Sequence, residues 1–163
     1  MKEEEFKLRM ENALEEAKTL LLRYGKLVPV ALMHSGNDAH VLGLSFKDKK
    51  QKNEQLSLLK KFVKLKDADA IFVIVESWYV TTDEENLTIE PSKHPMRKEC
   101  IVVFGEYEDG SLTVMQIFGR KDEKIIFEKK LYMEEGISGK FDFGIKNRNK
   151  NRNKNPANVR NLN

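Results

Sequence analysis

Five side-chain types that can do chemistry crowd into one short stretch of this chain. An apolar run ends in Glu76-Ser77-Trp78, and Pro91-Ser92-Lys93-His94-Pro95-Met96-Arg97-Lys98-Glu99 leads into the next one. In an extended strand, alternate residues share a face, so Glu76 lies with Phe72, Ile74 and Trp78. An acid among apolar neighbours needs a cationic partner. Arg97 or Lys98 is the expected one, in an ion pair that closes the sheet end beneath the loop. The candidate functional cluster is therefore Glu76, Trp78, Ser92, His94, Arg97 and Glu99. As catalysts, Glu76, His94 and Glu99 would serve as acid, base or metal ligands, with Arg97 stabilising an anion, in a small hydrolase or nuclease. The spacing matches no catalytic motif of known mechanics, which favours a non-enzymatic binding or accessory domain.

Other reactive residues are more scattered. His34 and His40 flank a turn that contains Asp38. They would form a weak metal set only if the loop length set the two imidazoles opposite each other. Cys100 with His94 would make a nucleophile pair, but Cys100 begins an apolar run and reads better as a small buried hydrophobe. Gly136-Ile137-Ser138-Gly139-Lys140 lacks the spacing and the Ser/Thr of a phosphate loop. No cofactor is expected.

The Glu-Ser-Trp strand end and the Pro-Ser-Lys-His-Pro-Met-Arg-Lys-Glu loop resemble a pattern in small uncharacterised prokaryotic proteins. In those, a strand ends in Glu-Ala-Trp and a Pro-Ser-x-His-Pro-x-Arg-x-Glu loop follows. The resemblance spans roughly residues 66–105, and Ser77 here replaces the usual Ala. It implies no activity, but it marks the loop as a place of interest.

The elements that must position these residues follow from periodicity. Residues 2–24 repeat apolar side chains every three or four positions (Phe6, Met10, Ala13, Leu14, Ala17, Leu21 and Tyr24) and predict an amphipathic helix. Gly25 is placed to stop it. Two strands, 27–34 and 39–46, flank Ser35-Gly36-Asn37-Asp38, and Pro29 marks the first as an edge or its own start. Asp48 with Gln51 predicts a cap on a second helix, 49–66, whose apolar face is Leu56, Leu59, Phe62 and Val63. Residues 70–80 read as a central strand buried on both faces. Strands at 98–107, 112–120 and 124–133 follow, joined by tight turns. The order α-β-β-α-β-β-β-β predicts an α+β fold. Two helices cover one face of a mixed, mostly antiparallel sheet of five to six strands.

Composition sets the outer limits. The 163 residues are 40% hydrophobic and 34% charged, with a single cysteine, so a disulfide scaffold is excluded and a cytoplasmic location is expected. No apolar run approaches the ~18 residues of a membrane span. The net charge of +3 conceals a division. Residues 47–66 carry +6 and residues 146–163 another +6 with eight Asn and no acid, so the remainder carries −9. The expected organisation is one domain over 1–145 and a disordered basic tail over 146–163. That tail is the candidate contact for nucleic acid or an acidic protein. A homo-oligomer, assembled through the Pro29 strand or the lysine-rich helix, is a further reading.

Overall fold

The computed structural model describes residues 1–80, 93, 96–133 and 141–145. The first helix, α1 (Glu3–Tyr24), buries Phe6, Met10, Ala13, Leu14, Ala17 and Leu21 along one stripe. Each of the larger four contributes about 1.5–3 kcal/mol relative to exposure. Three acidic residues occupy its first turn and Arg23 its last, which suits the helix dipole. Gly25 stops it at φ 72°, and its N–H donates to Leu21 O. Tyr24, expected on the buried stripe, is the last residue of α1 and is 64% exposed.

Strands β1 (Val30–Ser35) and β2 (Asp38–Gly43) form a hairpin. Helix α2 (Lys49–Leu65) and strands β3 (Ala70–Tyr79), β4 (Lys98–Tyr107), β5 (Gly110–Lys121) and β6 (Lys124–Met133) complete the order. Asp48 caps α2 by accepting from Gln51 N at 2.7 Å. Gln51 Oε1 accepts in turn from Lys47 N, one residue earlier than a reciprocal capping box requires. The β5–β6 turn places Asp122 and Glu123 at positive φ, the backbone that a two-residue hairpin of matching twist needs.

The six strands lie in the order β2-β1-β3-β4-β5-β6, and every pairing is antiparallel. The α+β class and element order are as expected, but the sheet is not mixed. Helix α2 carries the chain over β1, so β2 and β3 run in the same direction without being neighbours. Pro29 sits just before β1, an interior strand, which resolves its two readings in favour of the strand start.

The expectation that both helices cover one face is overturned. Alpha-1 packs on Ala70, Phe72, Ile74, Ile101 and Val103. Leu59 and Val63 of α2 pack on Ile71, Val73, Phe104, Ala31 and Met33, the opposite parity. One helix covers each face because β3 is apolar at both odd and even positions, leaving two surfaces to bury. Residues 141–145 add a further layer on the α2 face, where Phe141 stacks on Phe104 with ring centroids 5.2 Å apart. Buried Glu106 holds this segment, accepting from Phe143 N at 2.8 Å and Ile145 N at 2.7 Å.

Candidate functional site

Strand parity assembles the cluster on the α1 face, beyond the helix's C-terminal end. In register, Trp78 pairs with Glu99, Glu76 with Ile101, and Glu99 with Phe118. Glu76, Trp78 and Glu99 therefore share one face across two neighbouring strands. Arg120, two residues beyond Phe118 on β5, reaches both acids. Its Nε donates to Glu99 Oε2 at 2.8 Å, and its Nη2 lies 3.5 Å from Glu76 Oε1. The other Glu76 oxygen accepts from Leu27 N at 2.7 Å, tying the α1–β1 loop to β3.

The cationic partner of Glu76 is thus Arg120, not Arg97 or Lys98. Lys98 is on the opposite face by parity and pairs with Glu128 at 3.0 Å. Arg97 lies over the Trp78 ring, 4.8 Å from its centroid, a cation–π contact on an indole that is 39% exposed. The sequence pointed to Arg97 because it is near in the chain; Arg120 is near only through β4. Its signal was its place at the end of a strand whose pairing length follows from the tight turn at 108–109. Ser92 and His94 lie outside the described residues.

The remaining candidates separate. The β1–β2 register pairs Ser35 with Asp38 and leaves Gly36-Asn37 as a two-residue turn. His34 then opposes Ala39 and His40 opposes Met33, which puts the two imidazoles on opposite faces. His34 packs edge-on to Phe72, and His40 to Phe62. One metal ion cannot touch both, so His34, Asp38 and His40 form no common site. Among the described residues, no group of three His, Cys, Asp or Glu could hold a metal. Cys100 is fully buried, and burial, helped by Glu76, pushes its thiol up to about 12. A thiol at that value is not a nucleophile near neutral pH.

His34 does have an electrostatic role. Arg9 Nη1 lies 3.3 Å from His34 Nδ1, a geometry that a neutral imidazole can accept. Burial first, and Arg9 second, lower the His34 pKa against the smaller opposing effects of Glu5 and Asp69. The unfolded chain therefore takes this proton more readily, and stability should fall as pH drops below the ordinary histidine value of about 6.5. In urea titrations from pH 7 to 5, His34→Gln should remove that component. The loss below about pH 4.5 belongs to Glu5 and Glu11, whose folded pKa values are lowered, and should persist.

One larger concavity was not expected at all. A groove of about 560 Å³ lies between α1 and the β1–β2 hairpin, lined by Ala17, Leu20, Tyr24, Val28, Leu32 and Val41 among others. It is apolar, with Glu16 and Lys26 among the lining residues. Its signal in the sequence was indirect: α1 is one helix wide and cannot cover every strand.

Fold and site together define a small α+β protein, a six-stranded antiparallel sheet with one helix on each face and an Arg-bridged acidic cluster at one strand end. The family model described as Bacteriophage lambda protein ea47 matches residues 1–144. The chain belongs to that family, a group of small phage proteins of unknown function. No curated protein and no solved structure matches it. Among the described residues, no helix is long and apolar enough to cross a membrane.

Proposed function

We propose that the protein is a non-enzymatic binding or accessory domain. In this reading it contacts its partner through the surface around Trp78, Arg97 and Glu99 and grips an anionic partner with residues 146–163. The observation that carries the reading is Arg120, which engages both Glu76 and Glu99. The alternative, a hydrolase or nuclease using Glu76, His94 and Glu99, needs those carboxylates for proton transfer or metal binding. Both are engaged in an ion-pair network, and Glu76 also anchors Leu27. The half-exposed Trp78 ring under Arg97 suits recognition, because an aromatic face beside a cation accepts planar groups. The resemblance of this loop to the Pro-Ser-x-His-Pro-x-Arg-x-Glu pattern adds to that reading.

The basic segments support the anionic partner. Glu106 fixes residues 143 and 145 on the α2 face, and Lys52 of α2 lies 5.7 Å from the Phe141 ring centroid. Ile145, the residue before the +6 of 146–163 in the chain, is thus held on the face covered by the +6 segment 47–66. A cytoplasmic location belongs to the same proposal.

Single-stranded nucleic acid is the probe. The full chain should bind it with a log–log salt slope of about −4, as six phosphate contacts on a single strand require. Removing residues 146–163 should abolish most of that binding, and Trp78→Ala should weaken it by about 1–3 kcal/mol. Equal, negligible binding by the full and shortened chains would refute the anionic grip.

A further inference from the structure

The two edges of the sheet are built differently. Strand β6 carries Lys124, Glu128, Lys129 and Lys130, charges that blunt an edge against pairing with another chain. Strand β2, at the other edge, carries a single charged residue, Asp38, and no lysine. Apolar surface flanks β2 on both sides. On the α1 face, Val41 is 70% exposed, beside Leu20, Tyr24 and Val28 in the groove. On the α2 face, Leu42, Leu58 and Phe62 line a second hollow of about 420 Å³. Neither hollow includes the Trp78 cluster.

The backbone of β2 is also self-complementary. Leu44 N donates to Pro29 O at 2.8 Å, one position beyond the Val30–Gly43 pair. Bonded and non-bonded pairs alternate along an antiparallel ladder. The inward bonds to β1 therefore belong to Leu44, Leu42, His40 and Asp38. The N–H and C=O groups of Ala39, Val41 and Gly43 point away from β1, toward the open edge among the described residues. A second β2 placed antiparallel with Val41 opposite Val41 uses all of them: Val41 bonds with Val41 of the partner subunit, and Ala39 with Gly43 of the partner subunit. The same register sets Asp38 opposite Leu44 of the partner subunit, so no like charges meet.

We propose that the protein forms a two-fold dimer by antiparallel pairing of β2 with β2, in a register centred on Val41. The axis is perpendicular to the sheet, so both α1 faces lie on one side and the two apolar grooves meet across the junction. A stable interface needs about 800 Å² per partner. The paired strands and the apolar rims on both faces are the surfaces that would supply it. The inference is independent of the Trp78 surface and of residues 146–163.

The full chain should have twice the monomer mass of 18.9 kDa by light scattering. Val41→Lys, a change at an exposed side chain, should halve that mass, whereas Ile126→Lys on the β6 edge should leave it unchanged. Val41→Cys gives a second readout. Bonded antiparallel partners have Cα atoms about 5.5 Å apart, within disulfide range. Mild oxidation should then link two chains through position 41 while the buried Cys100 stays out of the reaction. A wild-type mass of one chain, a dimer that survives Val41→Lys, or a Val41→Cys chain that does not cross-link would overturn the proposal.

Discussion

Replacing Glu106 by alanine is expected to cost about 3 kcal/mol of stability and to release residues 141–145 from the sheet. Glu106 is fully buried, and its two oxygens each accept one backbone N–H, from Phe143 and Ile145. Hydrogen bonds to such a group contribute about 1.5–3 kcal/mol each. The upper end of the sum is not reached, because the freed segment can detach and give its amides to water. Detachment then exposes Phe143 and Ile145, now 5% and 2% exposed, and uncovers Phe104. Glu106→Gln should keep one bond and present an NH2 group to the other amide, so its loss should be smaller. Urea titration gives the energies, and hydrogen exchange at residues 143 and 145 tests the detachment. Unchanged exchange there in Glu106→Ala would show that the carboxylate is not the clamp.

Gly105→Ala should destabilise the protein by about 1–3 kcal/mol, although a strand ordinarily gains from losing a glycine. A Cβ at position 105 would stand 2.7 Å from Phe6 Cζ and 3.0 Å from both Met10 Sδ and Phe6 Cε2. The Phe6 ring cannot easily retreat. It is stacked on Tyr107 at 4.2 Å and on Phe72 at 5.2 Å, and is 1% exposed. The glycine therefore lets α1 settle onto β4 at its N-terminal end. Phe6→Leu should be destabilising alone yet rescue part of the Gly105→Ala loss, a coupling that a double-mutant cycle in urea would measure. Strict additivity would mean that the two side chains do not compete for the same space.

Local signals were legible where they were redundant. Helix α1 has its stripe, its acidic first turn and its Gly25 stop in agreement, so it was readable to within one residue. The Asp48 cap and the turns at 108–109 and 122–123 carry their own chemistry, and β4 and β6 begin and end where alternation places them. Residues 141–145 went unread because their ordering depends on Glu106, 35 or more residues away. The glutamate signal was an acid inside an apolar strand; the segment's own signal was the alternation of Phe141, Phe143 and Ile145.

Four of the six candidate side chains were legible as neighbours but not in their connections, and the other two, Ser92 and His94, lie outside the described residues. Glu76, Trp78, Arg97 and Glu99 were identified from strand parity and chain proximity, and the structure brings these four together. Lys98, the other cation expected for Glu76, lies on the opposite face and pairs with Glu128. Which cation reaches Glu76 depends on the lateral order of strands, and that order places β5 and its Arg120 next to β4.

The amino-acid sequence by itself determined the elements, their order and which side chains share a face, because period and turn chemistry are properties of short segments. Only the tertiary structure decided that the helices lie on opposite faces, that His34 and His40 are divided by the sheet, and that nearly uncharged β2 is the edge strand among the described residues. Those outcomes depend on the register and lateral order of strands far apart in the chain, set by how all the apolar faces are buried at once.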